Sequence, residues 1–211
     1  MNETKPCPPT VFIVDDDLAM RDALTWLIQS VNLRVQAFAS AEAFLESYDP
    51  ALSGCLVLDV RMPGMSGLKL QEELAARGSC LSVIMLTGYA EVPTAVRALK
   101  QGAIDFLNKP FSDALLLDRI AEAIEIDRQR RQAEQQRTDV CARHETLTPR
   151  EREVMQLVIE GKANKVIAAD LDLSPRTVEV HRASVMRKMG AESVADLVRT
   201  ALVMQKPPSL R

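Results

Sequence analysis

The chain has no Cys-x-x-Cys pair and no cysteine spacing typical of metal ligands, so neither a disulfide framework nor a structural zinc site organises it. Its four cysteines, Cys7, Cys55, Cys80 and Cys141, are scattered, and Cys55 and Cys80 lie in or beside apolar runs. Reduced, mostly structural thiols are expected. No apolar run approaches the length of a membrane span. The first ten residues, MNETKPCPPT, have neither the basic start nor the apolar centre of a signal peptide. These absences predict a soluble, cytoplasmic chain with a loose N-terminal tail over residues 1–9 and no membrane partner. No internal repeat is present, which excludes a solenoid.

Charge of either sign is nearly balanced overall, at minus 3, but it is unevenly placed. Residues 1–125 carry 10 basic and 17 acidic side chains, residues 126–144 carry 5 and 3, and residues 145–211 carry 11 and 9. A length of 211 residues suits two modest domains. An acidic front and a mildly basic back suggest two jobs, with any polyanion bound at the back.

The front half alternates short apolar runs with segments of helical period. The run LVLDVRMPG (56–64) carries Leu56, Val57 and Leu58 into Asp59, and Pro63 and Gly64 then mark a loop. Asp59 therefore ends a strand. VFIV (11–14) ends in the same way at Asp15, Asp16 and Asp17, SVIML ends at Thr87 and Gly88, and Ile104 to Leu107 ends at Asn108, Lys109 and Pro110. Five such strand-then-helix units predict a five-stranded, parallel, doubly wound sheet of the flavodoxin-like kind, with ligand chemistry at the carboxyl ends of its strands. Three or four carboxylates converging on that rim would repel one another unless a cation sits among them or some stay protonated.

Singly, each of these residues has an ordinary reading. Asp17 suits a helix N-cap, Thr87 before Gly88 suits a turn, Lys109 suits the surface and Phe106 suits a core. Together and in order, VFIVDDD, LVLDVRMPG, MLTG and DFLNKPF resemble the motifs of the receiver domain of two-component response regulators, over about residues 10–125. The resemblance implies that Asp59 is a phosphoacceptor forming an aspartyl phosphate. It implies Mg²⁺ or Mn²⁺ held by Asp16, Asp59 and the backbone carbonyl of Arg61, with Asp15 holding a metal-bound water. Lys109 and Thr87 would then stabilise the phosphoryl oxygens, Phe106 would act with Thr87 as a switch, and Lys109-Pro110 would be a cis peptide. It also implies dimerisation on phosphorylation, for which Val92, Val96 and Lys100 of the fourth helix are candidates, while Leu99 is expected to face the sheet.

The tract IDRQRRQAEQQRTD is almost wholly charged or amide, contains no Gly or Pro, and shows no sustained heptad pattern. It predicts a solvated helical linker over residues 126–144. Beyond it, LTPREREVMQL starts a helix with Thr148, Pro149 and Glu151 in a capping pattern. A short helix in NKVIAADLDL, a Ser-Pro-capped helix ending at Gly190 and a last helix in SVADLVRTALV complete an all-α helix-turn-helix unit over residues 145–205, with a tail over 206–211. This half is similar to the output domain of the NarL/FixJ (LuxR-type) regulators, and the two halves together are nearest the FixJ-like subgroup. In that reading the helix from Pro175 to Met189 enters the major groove. Glu179, Val180 and Ala183 would read bases, and Lys165, Arg176, Thr177, Arg182 and Lys188 would hold phosphates, with Arg187 on the same outward face.

The reading is a phosphorylation-dependent transcriptional regulator served by a sensor histidine kinase, double-stranded promoter DNA and RNA polymerase. It is not an enzyme beyond phosphorylating itself from a donor and slowly losing the group. Two alternatives stay open: a constitutive DNA-binding protein whose receiver is a dimerisation scaffold, and a phosphatase or phosphotransferase working through an aspartyl phosphate.

Overall fold

The structure, a computed structural model, describes residues 8–88 and 92–205. The rest of the expected N-terminal tail, with Cys7, and the expected C-terminal tail lie outside the described residues. The chain forms two compact units whose boundary falls between Arg131 and Gln132.

In the first unit, β1 (Thr10–Val14), β2 (Arg34–Phe38), β3 (Gly54–Asp59), β4 (Ser82–Thr87) and β5 (Asp105–Asn108) form one parallel sheet in the order β2-β1-β3-β4-β5. Every residue of β1, β3 and β4 is buried, as expected of parallel strands covered on both faces. Alternation sends successive side chains to opposite faces. Phe12, Val14, Leu56, Leu58 and Met85 pack with Phe44 of α2 (Ala41–Ser47), Leu70 and Leu74 of α3 (Gly67–Ala76) and Ala98 of α4 (Val92–Lys100). Val11, Ile13, Val57, Ile84 and Leu86 pack with Leu24 and Ile28 of α1 (Leu18–Ser30) and with Leu116, Ile120 and Ala123 of α5 (Asp113–Glu145). Burying each large apolar side chain contributes roughly 1.5–3 kcal/mol, so both cores depend on the period-2 pattern. The register sets Val14 beside Leu58, Asp59 beside Leu86 and Thr87 beside Asn108. The polar strand ends therefore share one rim.

The helix starts follow the local chemistry. Asp17 caps α1 by accepting from the Ala19 amide at 2.9 Å, and Ser40 caps α2 through the Ala43 amide. Gly67 opens α3 where a Cβ would lie 2.1 Å from the Asp59 carbonyl oxygen, so only glycine lets α3 begin against the end of β3.

The linker is helical and departs from the expected solvated spacer only at its start. Its residues continue α5 without a break, and Asp127 is buried, accepting from the Ser53 hydroxyl at 2.9 Å and the Gly54 amide at 3.0 Å. Arg131 pairs with Asp127 and donates to the carbonyls of Leu52 and Pro50. A buried carboxylate is tolerated because every available partner is used, and these contacts make residues through Arg131 part of the first unit. Burial, together with the Asp127 charge, pushes the neighbouring Cys55 thiol far above its ordinary value. Cys55, Cys80 and Cys141 are free thiols.

In the second unit, α6 (Pro149–Ile159), α7 (Asn164–Asp170), α8 (Pro175–Met189) and α9 (Val194–Gln205) surround a core of Val154, Val158, Ile167, Val178, Val185, Met189 and Leu197, against which Val140 of α5 packs. Thr148 and Glu151 form the expected capping box at α6. Ser174 caps α8, and Gly190 ends it with φ 68°. Among the described residues no helix is long and apolar enough to cross a membrane.

Candidate functional site

Asp15 follows β1 and Asp59 ends β3, and both side chains are drawn inward, with residues 2% and 7% exposed. Lys109, just after β5, places its Nζ 2.6 Å from Asp15 Oδ2 and 2.6 Å from Asp59 Oδ1. The other Asp59 oxygen accepts from the Arg61 amide at 2.7 Å, and Asp15 Oδ1 accepts from the Asp17 amide at 2.9 Å. Thr87, buried at the end of β4, accepts the Lys109 amide on its carbonyl at 2.7 Å. The Lys109-Pro110 peptide is cis. Burial pushes the Asp59 carboxyl above its ordinary value, while the hydrogen bond and charge of Lys109 oppose it. Burial also works against the charge on Lys109, but its bonds to Asp15 and Asp59 outweigh that and hold its pKa above the ordinary lysine value.

The expected convergence of three or four carboxylates takes a narrower form. Asp15 and Asp59 share a lysine, whereas Asp16 is exposed. Among the described residues no group of three or more His, Cys, Asp or Glu side chains is placed to hold a metal ion by itself. The ammonium between the two buried carboxylates supplies the charge balance that such a pair requires.

In the second unit α8 turns Val178, Val185 and Met189 into the core. Arg176, Glu179, Val180, Ala183 and Arg187 are exposed. Lys165 is exposed on α7, and Thr177 is half-buried with its amide donating to the Ser174 hydroxyl. Arg182 donates to Asn164 at 2.8 Å, linking α8 to the start of α7. Lys188 departs from its expected place among phosphate-binding side chains. Its Nζ lies 2.7 Å from Glu151 Oε2 and donates to the Thr146 carbonyl at 3.1 Å. Glu151, only 5% exposed, also accepts from Ser184 Oγ at 2.6 Å and from the Thr148 amide at 2.8 Å. These bonds hold its carboxyl down to about 2, with Lys188 the largest cause. A buried carboxylate needs a nearby cation, and Lys188 is committed to it.

Residues 11–121 match the response regulator receiver domain, and residues 145–201 match the luxR family of bacterial regulatory proteins. The chain belongs to the response-regulator family. It is 50% identical over 189 residues to nodulation protein W of Bradyrhizobium diazoefficiens, covering 90% of this chain and 83% of that protein. It is 47% identical over 199 residues to the transcriptional regulatory protein FixJ of Azorhizobium caulinodans, covering 94% of each. Among solved structures, the response regulator StyR superposes with a TM-score of 0.84 at 43% identity, covering 93% of this chain and 99% of that one. The response regulator is FixJ-like: a phosphorylation-dependent transcription regulator with a LuxR-type DNA-binding domain, not a classical enzyme.

Within the receiver, α4 presents Val92, Val96 and Lys100 outward as expected, but Leu99 is also outward at 47% exposed rather than facing the sheet. The helix seats on Ala98, whose carbonyl accepts from buried Gln71 of α3 at 3.2 Å, and Glu72 accepts from Arg97 and Gln101 at 2.6 and 2.7 Å. With Ala98 inward, its neighbour about 100° round the helix must leave the sheet. Phe106 is partly buried against the core that includes Phe12, Met85 and Ala98. Sequence reasoning missed Asp127, Arg131 and the second role of Glu151. Only the capping pattern at Glu151 gave a local signal.

Proposed function

We propose that Asp59 is the phosphoacceptor of this response regulator and that its phosphorylation gates promoter binding by the second unit. The observation that carries the reading is the buried Asp59 carboxylate at a strand end, joined through Lys109 Nζ to Asp15. A carboxylate oxygen of Asp59 attacks phosphorus. A phosphorus–oxygen bond forms as the bond to the donor breaks, and the electron pair leaves on the imidazole nitrogen of a kinase phosphohistidine or on the acyl oxygen of a small donor. Lys109 and Thr87 then hold phosphoryl oxygens, and Phe106 answers the movement of Thr87 as a switch.

The donors fit Mg²⁺ or Mn²⁺ in kind. Asp16, Asp59 and the Arg61 carbonyl would hold the ion as hard oxygen ligands, with Asp15 holding a metal-bound water, and such ions take one or two carboxylates and complete their shell with water. When bound, the ion offsets the charge between Asp59 and the incoming phosphoryl group.

Phosphorylation promotes a homodimer through the α4 face of Val92, Val96 and Lys100. Paired second units then bind double-stranded promoter DNA, with Glu179, Val180 and Ala183 toward base edges and Lys165, Arg176, Thr177, Arg182 and Arg187 toward phosphates. A sensor histidine kinase is the donor and RNA polymerase a further partner, in the cytoplasm. The working division is a receiver over about 10–125, a helical connection over 126–144 and a DNA-binding domain over 145–205.

The test is binding of full-length wild type and Asp59→Asn to a duplex selected from random-sequence DNA, with and without acetyl phosphate and Mg²⁺. The donor should raise wild-type affinity about tenfold or more, the range of ordinary allosteric coupling, and leave Asp59→Asn unchanged. Equal binding under all four conditions would make the receiver a scaffold. Sustained turnover of phosphomonoesters would make the protein a phosphatase.

A further inference from the structure

The carboxyl end of α8 is completed by a side chain that does not belong to the matched DNA-binding family segment. A helix leaves its last carbonyls without intrahelical partners. At α8 the Gly190 and Ala191 amides return to Arg187 and Met186 at 3.2 and 2.9 Å. The Met189 carbonyl instead accepts from Arg143 Nη1 at 3.3 Å. Arg143 lies in the last turn of α5, two residues before the luxR-family match begins at residue 145. Its guanidinium sits so close over Gly190 that a Cβ there would be 3.0 Å from Nη1. The cations of the last turn of α8 itself are placed elsewhere: Lys188 is taken by Glu151, and Arg187 is exposed on the outward face.

We propose that Arg143 is a positioning residue for the recognition helix, setting base discrimination without touching DNA. This rests on the reading of α8 as the groove-entering helix. A cation at a helix carboxyl end opposes the negative pole of the peptide dipoles, and this one also ties the helix end to another element. Lys188 with Glu151 and Arg182 with Asn164 tie α8 to α6 and α7; Arg143 adds a tie to α5. Base readout needs Glu179, Val180 and Ala183 held within about 0.5 Å of their productive places, so a loosened helix end loses discrimination before it loses general attraction to DNA. The tie lies wholly within the second unit, to which Arg143 and α8 both belong.

The experiment uses full-length Arg143→Gln, Arg143→Lys and wild type, treated with acetyl phosphate and Mg²⁺. Binding is measured over a salt series to a duplex selected from random-sequence DNA and to a scrambled duplex. Arg143→Gln should weaken binding to the selected duplex about tenfold, leave the scrambled duplex and the slope of log affinity against log salt unchanged, and be partly rescued by Arg143→Lys. Equal loss on both duplexes with a slope smaller by about one would make Arg143 a phosphate contact and overturn the proposal. So would no loss on either. Amide exchange without DNA gives an independent reading: Arg143→Gln should speed exchange at residues 187–191 and spare α6. Unchanged exchange there contradicts the proposal even if DNA reading by α8 were itself refuted, and general speeding across the unit would show only a fold defect and reject the positioning role.

Discussion

Lys109 Nζ lies 2.6 Å from Asp59 Oδ1, joining a lysine after β5 to a carboxylate that ends β3, and the same ammonium holds Asp15. Burial raises the Asp59 carboxyl above its ordinary value of 3.8 despite that lysine. A carboxyl raised in the folded state makes stability fall as pH rises from the ordinary value through the raised one. Asp59→Asn removes that penalty while Lys109 keeps Asp15. The variant should therefore melt about 3 °C above wild type at pH 7.5, with the gap closing toward pH 4. Thermal scans across that range check it; a variant less stable throughout would show that the ion pair outweighs the burial.

Glu151 makes the opposite prediction for the second unit. Its carboxyl is held down to about 2 against an ordinary 4.5, so its stabilisation is complete above about 4.5 and is lost as pH falls toward 2. Glu151→Gln should cost on the order of 2 kcal/mol at pH 7 and flatten this acid limb. Acid titration of the protein's unfolding, followed by circular dichroism in wild type and Glu151→Gln, is the measurement, and an acid limb identical to wild type would assign the loss to other groups.

On α4, Val92, Val96 and Leu99 make an exposed stripe at helical spacing. Val96→Asp or Leu99→Asp should weaken the proposed acetyl-phosphate-dependent dimer by about tenfold or more while leaving the proposed phosphoryl uptake by Asp59 intact. Sedimentation of each variant with the donor decides this. Dimers as tight as wild type would move the interface to another face.

Arg187 and Lys188 are adjacent in sequence but differ in commitment. Arg187→Ala should lower the salt slope of DNA binding by about one. Lys188→Ala should leave the slope alone and instead lower the stability of the second unit by about 1–3 kcal/mol, because buried Glu151 loses its cation. Matching slope changes in both would restore Lys188 to the phosphate contacts.

What could be read from the sequence was what is written locally. Short apolar runs ending in Asp15, Asp59, Thr87 and Asn108 announced parallel strands with a polar rim, because strand period and turn residues are near-neighbour properties. Thr148, Ser174 and Gly190 marked helix ends for the same reason. The Asp127 and Arg131 contacts were hidden in a tract that looks solvated, since their partners lie more than 70 residues away near Gly54. Lys188 was misplaced because an outward-looking basic residue and the partner of a buried carboxylate look alike until α6 and α8 are brought together. Leu99 faced the wrong way because the seat of α4 is set by Gln71 of α3, which no local period records.

The most direct measurement is the intact mass of wild type and Asp59→Asn after incubation with Mg²⁺ and acetyl phosphate, with a histidine kinase as a second donor. The account predicts the gain of one phosphoryl group in the wild type alone. No gain from either donor, or an equal gain in Asp59→Asn, would contradict Asp59 as the acceptor.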